Sequence, residues 1–399
     1  MSDFSVSNLL AAKSLEILEG NIQVGNLFNN DIEANFSKNP RTGDQVRVNR
    51  RQTVKPVSRA SGQEVTKQSI TESTISFNIT DELDTTVPID TQELTLDIDP
   101  SEMISTDKLM QFMDTNVSRV VTPVAVGMAE DLESRVLAEV NNVPAIHPID
   151  VSTSLPSTNS EFLEIAKQLD VFKVPVVGRF CLATPDLYYN MAGLLQKVNE
   201  SGSSAGLREG VVGRLAGFDV YMSQYFPEEL HTTGTIGTAE LATDALVGST
   251  NISLTNADEA TGTFKAGDTV IISGYGNVVV SGDVTASTGA VTISIKEPLR
   301  STIQANTAIA NYGVTGGVAI SYKTVGYFGV ADCIAFASIA PVIQGANVDS
   351  ASINRDGYGI NTNLTYNPDF KATALSMSSL FGVKMLDGRM GVKVVQKVA

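Results

Sequence analysis

The sequence predicts an α+β fold with an all-β barrel domain inserted into it, and three observations carry that prediction. Apolar residues recur at spacings of three and four in several segments, the mark of helices packed on one face. In others they alternate with polar residues, the mark of strands. Over residues 228–327 helical periods vanish and Thr, Gly, Ala and Val dominate.

The first helix is expected over residues 8–19, where Leu9, Leu10, Leu15, Ile17 and Leu18 are apolar and Gly20 reads as a stop. A helix this short is unstable alone in water, so it must dock. A polar, Asn-rich arm follows to Pro40. Val46 and Val48 then alternate with Gln45, Arg47 and Asn49, and Ile75, Phe77 and Ile79 with Ser76, Asn78 and Thr80. Between them, Arg59-Ala60-Ser61-Gly62 is turn chemistry. The pattern predicts a two-stranded ribbon with arms of roughly 35 Å at about 3.3 Å per residue. Such a hairpin is marginal by itself and needs a partner surface.

Leu94, Leu96 and Ile98 alternate again before Pro100. Then Leu109, Phe112, Met113, Val117, Val120, Val121, Val124, Met128, Leu132, Val136 and Val140 predict one helix over 105–140, ended by Asn141-Asn142 and Pro144. Pro123 and Gly127 imply a kinked rod; two helices meeting at Thr122 is the alternative. Thr158-Asn159-Ser160-Glu161 is a capping box for the next helix. Residues 179–183 read as a short buried strand, and Thr184-Pro185-Asp186 as an N-cap with Pro at N1. The following helix carries Leu187, Tyr188, Met191 and Leu194. Residues 202–210 read as a loop and 213–221 as a turn into a strand. Within 228–327 the runs 269–273, 277–280 and 290–295 lie between Gly-containing turns, which predicts a barrel or sandwich able to fold as a fragment. The host resumes at 331–342. It closes with 374–386 and 389–395, expected as a hairpin around a type I′ turn at Asp387-Gly388.

Composition narrows the function. The chain has 399 residues and a formal charge of −16, with 18% charged and 42% apolar residues. That apolar content excludes a disordered acidic chain. The acidic balance excludes a coat that grips phosphate generally. So few charges on an acidic chain imply surface buried against other copies. Met1 to Asn21 lacks a basic leader segment, and no window approaches 18 uninterrupted apolar residues. Cys181 and Cys333 share no metal or redox spacing and are expected as buried thiols, folded in a reducing cytosol.

The catalytic inventory is thin. His147 and His231, the only histidines, are expected in surface loops without metal-ligand partners. Gly202-Ser203-Ser204-Ala205-Gly206 fits G-x-S-x-G by letters, but no apolar strand leads into it. Gly274-Tyr275-Gly276 reads as a turn between strands, and Glu228-Glu229 and Asp81-Glu82 as surface acids. No catalytic residue, cofactor or metal is expected, and the chain is not expected to be an enzyme.

Charge is segregated instead. Residues 38–67 hold eight basic and two acidic residues, and 72–107 hold ten acidic and no basic ones. Opposite blocks this close suit a head-to-tail contact between copies; two solvated faces of one sheet is the alternative. Arg47, Arg50, Arg51, Lys55 and Arg59 of one copy are expected to meet Asp81, Glu82, Asp84, Asp90, Glu93, Asp97 and Asp99 of the next. A nucleic-acid role for the basic tip lacks the interleaved aromatics that stack bases.

With Ala183-Thr184-Pro185-Asp186-Leu187-Tyr188 and Gly213-Arg214-Leu215-Ala216-Gly217-Phe218-Asp219-Val220-Tyr221 in place, the order of parts resembles the major capsid proteins of tailed double-stranded DNA phages. The all-β insertion resembles the telokin-like I-domain of short-tailed-phage coat proteins. The resemblance implies an N-terminal arm (1–40), an E-loop hairpin (41–80), a P-domain strand and spine helix (81–145) and the first part of an A-domain (146–227). An I-domain (228–327) and closing A- and P-domain strands (328–399) complete it. Pro123 departs from an uninterrupted spine helix. The implied partners are other copies of the chain in hexamers and pentamers of an icosahedral shell, a scaffolding protein, a portal protein and packaged double-stranded DNA bound without sequence specificity. No membrane is implied. The implied location is the virion, after assembly as a procapsid in the host cytoplasm and maturation by expansion. A cellular nanocompartment shell and a β-rich virion tail or surface adhesin are the alternatives.

Overall fold

The structure is a computed structural model. It describes residues 6–28, 45–49, 58, 61, 74–79, 81–90, 117–149, 160–197, 213–255, 262–286, 290–314, 318–341, 348–355, 357–367 and 372–398. In chain order these form α1 (Val6–Asn21), β1 (Gln45–Asn49), β2 (Thr74–Asn78), β3 (Asp81–Asp90), α2 (Thr122–Glu139), β4 (Ile146–Pro148), α3 (Ser160–Val171) and β5 (Phe180–Ala183). There follow α4 (Pro185–Lys197), β6 (Arg214–Leu215), β7 (Phe218–Met222), β8 (His231–Thr232), β9 (Thr238–Leu241), β10 (Asn251–Thr255), β11 (Gly262–Phe264), β12 (Thr269–Ile272) and β13 (Gly276–Val279). The rest are β14 (Val284–Ala286), β15 (Ala290–Ser294), β16 (Ala308–Asn311), β17 (Ser321–Gly329), β18 (Ile334–Ile339), β19 (Val348–Arg355), β20 (Tyr358–Asn367), β21 (Ala372–Met385) and β22 (Gly391–Val398). The chain divides into one unit of Met1–Glu133 with Ile334–Leu386 and another of Ser134–Cys333 with Asp387–Ala399.

In the first unit β21 is the spine of an antiparallel sheet. Strands β20 and β18 share one of its edges and β3 lies along the other, from Asp81 opposite Phe381 to Asp90 opposite Ala372. Helix α1 docks on β19 and β20, burying Leu10, Ala11, Ser14, Leu15 and Leu18, while Lys13 and Glu16 pair at 2.7 Å on its solvent side. It runs through the expected stop at Gly20 to Asn21, whose side-chain amide donates to the Ile17 carbonyl at 2.7 Å. Beyond it, Val24 N–H donates to the buried Glu133 carboxylate at 2.9 Å. Gly25 admits Tyr358: a Cβ there would sit 2.6 Å from the tyrosine oxygen, which itself bonds Asn26 at 2.9 Å.

The strands β1 and β2 pair antiparallel, Gln45 opposite Asn78 and Asn49 opposite Thr74. Phe77 and Ile79 bury with Ala335, Ala337, Ile339 and Leu380. The base of the ribbon is therefore supported by its own sheet, whereas the sequence reading assigned all support to a partner. The expected turn at 59–62 and the alternating run at 94–98 lie outside the described residues, apart from Ser61.

Of the long helix, 105–116 lie outside the described residues. A π-helical turn, Val117–Val121, runs directly into α2, so Pro123 sits in the first turn of the regular helix. Proline removes one helical hydrogen bond at this junction, and the wider π turn before it takes up the irregularity. Val124, Ala125, Met128, Ala129, Leu132, Val136 and Leu137 repeat as a buried stripe. A 3₁₀ turn, Val140–Asn142, ends the rod where the paired asparagines were expected to end it.

The second unit contains two large sheets of different character and a two-stranded one, β11 with β14. One has the order β4-β22-β17-β5-β7-β6, with helices α3 and α4 supplying Phe162, Ile165, Leu169, Leu187 and Met191 to its core. The fully buried β5 leads into α4 through Thr184. The cap there is not the expected side chain. The Thr184 carbonyl accepts from Tyr188 N–H at 2.9 Å, while its hydroxyl is buried with no hydrogen-bond partner among the described residues. Residues 213–221, read as a turn into a strand, form a short hairpin in which β6 precedes the turn and β7 follows it. Ala216 (φ 49°) and Gly217 (φ 89°) both occupy the left-handed region, as a type I′ turn between β6 and β7 requires.

The other sheet has the order β13-β12-β16-β9-β10-β15. Its outer strands close on each other: Val280 bridges Ile295, and Lys296 N–H donates to the Val279 carbonyl at 3.0 Å. Ile252, Leu254, Phe264, Val270, Ile293 and Ile309 fill the interior. Asp268, fully buried at its foot, accepts from His231 at 2.9 Å, Gly234 N–H at 3.0 Å, Lys265 N–H at 2.9 Å and Asn311 at 3.0 Å. Burial pushes its carboxyl up, and these bonds, led by His231, outweigh that and hold it below the ordinary range. His231 is thus a strand residue in a structural hub rather than a free surface side chain. His147 is likewise buried, in β4, and burial lowers its pKa.

The expected hairpin at 387–388 does not form. β21 pairs with β18, β20 and β3, and β22 with β17 and β4, so consecutive strands enter different sheets. The joint is a 3₁₀ turn, Gly388–Met390, opened by the Asp387 carboxylate accepting from Arg389 N–H at 3.0 Å. Arg300 pairs with Asp387 at 2.7 Å. Both cysteines are buried free thiols.

Candidate subunit interface

Strand β3 presents an exposed sheet edge. One side pairs with β21 along its whole length, and no strand among the described residues pairs with the other. Leu83 turns inward while Glu82, Asp84 and Thr86 are exposed on the opposite face; Asp81 is exposed as well. Thr86 bonds Ser376 across the pair at 2.7 Å. Pro88, opposite Ala374, is a residue that ladders tolerate at edges. Charges and a proline on an edge discourage indiscriminate strand addition, so a partner must bring complementary charge.

Among the basic residues expected to supply that charge, Arg47 lies exposed on β1, opposite Ser76. The structure therefore brings Asp81, Glu82 and Asp84 together on one strand, with Asp90 at its end, and places Arg47 on the neighbouring ribbon. Arg50, Arg51, Lys55, Arg59, Glu93, Asp97 and Asp99 lie outside the described residues.

The second unit carries a surface feature that the sequence reading passed over. Val171 (69% exposed), the last residue of α3, and Phe172, Val176 and Val177 (88% exposed), on the segment that leads from it to β5, stand in solvent. Buried Arg179 fixes that segment by donating to Asp170 and to the Val174 carbonyl, both at 2.7 Å, and to the Pro175 carbonyl at 2.9 Å. The signal was present: an apolar run broken by Lys173 and Pro175 can complete neither helix nor strand. Exposed apolar groups on a held loop are contact material. Among the described residues no group of three His, Cys, Asp or Glu side chains is placed to hold a metal ion, and no helix is long and apolar enough to cross a membrane.

No protein-family model matches the chain, and no curated protein matches it. Among solved structures it is similar to the capsid of cyanophage P-SCSP1u, at 12% identity over 91% of this chain and 86% of that one, with a TM-score of 0.45. A structure from Mycobacterium phage Che8 matches at 12% identity over 94% and 90%, with a TM-score of 0.44. A virus-like particle from Pyrococcus furiosus matches at 10% identity over 97% of each chain, with a TM-score of 0.39.

Proposed function

We propose that this chain is a capsid shell protein and, more finely, the major capsid protein of a tailed double-stranded DNA phage. In this reading it builds hexamers and pentamers of an icosahedral head, first as a procapsid around a scaffolding protein, which expands as DNA enters through a portal. The observation that carries the reading is the placement of charge in the first unit. A ribbon with Arg47 exposed at its base leads, within three residues of β2, into an edge strand whose outward face is Glu82, Asp84 and Thr86. A surface that offers one sign on its projection and the other on its edge is complementary to a rotated copy of itself, and such heterologous contacts close into rings. The order of arm, ribbon, long helix and strand–Thr–Pro–Asp–helix supports the same reading, as does the apolar loop at 171–177.

The role is structural, and the chemistry is repetition. Exposed ion pairs are worth about 0.2–1 kcal/mol each, so one contact is weak and a closed ring is not. A net charge of −16 on the subunit also keeps the wall from gripping phosphate while DNA moves.

Reversing Arg50 and Arg51 to Glu tests the pairing. Negative-stain microscopy of the overexpressed protein, with and without a candidate scaffolding protein, is expected to show shells or tubes for the parent. The double variant is expected to stay as unassembled subunits with an unchanged circular-dichroism spectrum. Normal shells from the variant at moderate salt overturn the pairing; a parent that stays monomeric at every concentration and salt overturns the shell reading.

A further inference from the structure

The inserted barrel and the sheet that hosts it keep separate interiors. The host's buried apolar cluster gathers Phe162, Leu187 and Phe328, the barrel's gathers Ile252, Phe264 and Ile293, and no residue belongs to both. Polar groups bridge the seam between them. Asn277 of the barrel donates to the Pro144 carbonyl at 3.1 Å, and Lys296 donates to the Asn142 side-chain oxygen. Arg300 reaches into the joint between β21 and β22, where it pairs with Asp387 at 2.7 Å. That joint is drawn close: a Cβ on Gly388 would strike the Pro144 ring and lie 3.1 Å from Glu297 Oε2.

The attachments differ in kind. At the barrel's entry and exit the chain pairs with itself: Thr233 N–H donates to the Ile320 carbonyl at 2.9 Å, and Ile320 N–H to the Thr233 hydroxyl at 3.0 Å. Beside this pair Asp268, fully buried, holds His231 and Gly234 of the entering chain and Asn311 of the leaving strand. Parting them would strand a buried carboxylate, which is costly. Arg300 and Asp387, by contrast, each have a second partner. Arg300 also pairs with Glu297 of its own segment, and Asp387 with Arg389 at 3.2 Å. The Arg300 nitrogen that faces Asp387 makes a charge contact without an aligned hydrogen bond. Separating this pair therefore leaves neither charge alone. Burial pushes the Asp387 carboxyl up, and Arg300 and Arg389 outweigh it and hold it below the ordinary carboxylate range, so both charges persist at neutral pH.

We infer that the barrel is a hinged body with a latch: it turns about the Thr233–Ile320 pair under the pin of Asp268, and Arg300 on Asp387 holds it shut. A domain seated on polar contacts, with a core of its own, moves once those contacts part. Asp387 also opens the turn by which β21 hands the chain to β22, so the latch ties the barrel's position to that joint. The inference is independent of the shell reading, since every group it uses lies within the second unit.

The test is a pulsed electron-spin distance measurement on the full-length protein, with nitroxides at Val247→Cys on the barrel and Tyr189→Cys on α4. Both positions are exposed, and the native thiols are buried. The parent is expected to give one narrow distance. Arg300→Met is expected to add a second, broader population, at least tenfold above any in the parent, while β10 and β15 keep their hydrogen-exchange protection. Asp387→Asn, which leaves an oxygen for Arg389 N–H, is expected to do the same and decides alone if Arg300→Met fails to fold. One narrow distance in both variants overturns the latch. So does a parent already as broad as its variants, or a broadening that comes with lost protection in β10 and β15, since the barrel itself would then have melted.

Discussion

The barrel at 238–311 and the sheet of the first unit are both antiparallel β, yet they bury polar side chains in different patterns. Inside the barrel Ile252, Leu254, Phe264, Val270 and Ile293 are at most 1% exposed, and Asp268, the one buried acid there among the described residues, meets four donors. Beside it Thr269 Oγ1 and Asn311 Oδ1 are buried without a hydrogen-bond partner among those residues. In the sheet, β20 and β21 bury Asn361, Thr362, Asn363, Ser378 and Ser379. Some of these are paired: Ser379 bonds Ser338 at 2.9 Å, and Asn361 donates to Ser352 at 2.6 Å. Asn361 Oδ1, Thr362 Oγ1, Asn363 Oδ1 and Ser378 Oγ are buried without a hydrogen-bond partner among the described residues. An unmet buried polar atom costs about 1–3 kcal/mol. Buried polar atoms thus gather at one point of the barrel, around Asp268, and spread along two strands of the sheet, whose cohesion draws more on what lies over it, α1 first of all.

The sharpest way to break that comparison is Phe264→Ala. The ring is 1% exposed in the barrel core, and its removal is expected to cost about 3–5 kcal/mol. Native-state hydrogen exchange should show lost protection in β9, β10, β12 and β15, with β19–β21 unchanged. Equal loss in both regions would show that the barrel does not stand alone.

A smaller effect is expected where β22 passes the foot of the barrel. The folded protein releases the Lys393 proton near pH 7, against an ordinary value of 10.5. Between these values the unfolded chain binds the extra proton, so stability should rise with pH, by up to about 1.4 kcal/mol per unit. Below pH 7 both states hold the proton and the slope ends. Lys393→Met should remove the slope and raise stability at pH 7 by about 2–4 kcal/mol, as read by urea denaturation at pH 7, 8 and 9. An unaltered slope in the variant would assign it to another group.

The same contrast explains what could be read from the sequence. The barrel strands β12, β13 and β15 announce themselves because apolar residues alternate between glycine turns, and α1 and the β5–α4 unit because apolar spacing and proline punctuation agree. Strands β19 and β20, paired over eight residues from Val348 opposite Thr365 to Arg355 opposite Tyr358, went unread. In β19 the apolar residues Val348, Ala351 and Ile353 keep no regular spacing, while in β20 Tyr358, Ile360, Leu364 and Tyr366 do alternate with Gly359, Asn361, Asn363 and Thr365, a period interrupted only by Thr362. The letters of Asp387-Gly388 predict a type I′ turn, and the turn forms instead at Ala216-Gly217, where both residues hold the left-handed backbone. Of the candidate interface, the acidic cluster on β3 was legible as charge. The apolar loop at 171–177 was not, since exposure is a tertiary property. Lys393 was hidden for the same reason: Val392 and Val394 flank it as in any half-exposed strand, and only the fold covers all three.

The finest test asks whether the polar seam weakens the sheet. Thr362 is fully buried opposite Met377, its hydroxyl unmet. Valine has nearly the same shape and carries a methyl group in place of the hydroxyl, so Thr362→Val exchanges an unsatisfied oxygen for an apolar contact. Elsewhere that swap disrupts a hydrogen bond and destabilises; here none is lost. The expected result is a gain of up to about 1 kcal/mol in denaturant unfolding, with an unchanged m-value. A loss of 1 kcal/mol or more would mean that the hydroxyl has a partner, such as an ordered water, and that the seam is a satisfied network. The contrast between barrel and sheet would then be one of composition, with no difference in self-sufficiency behind it.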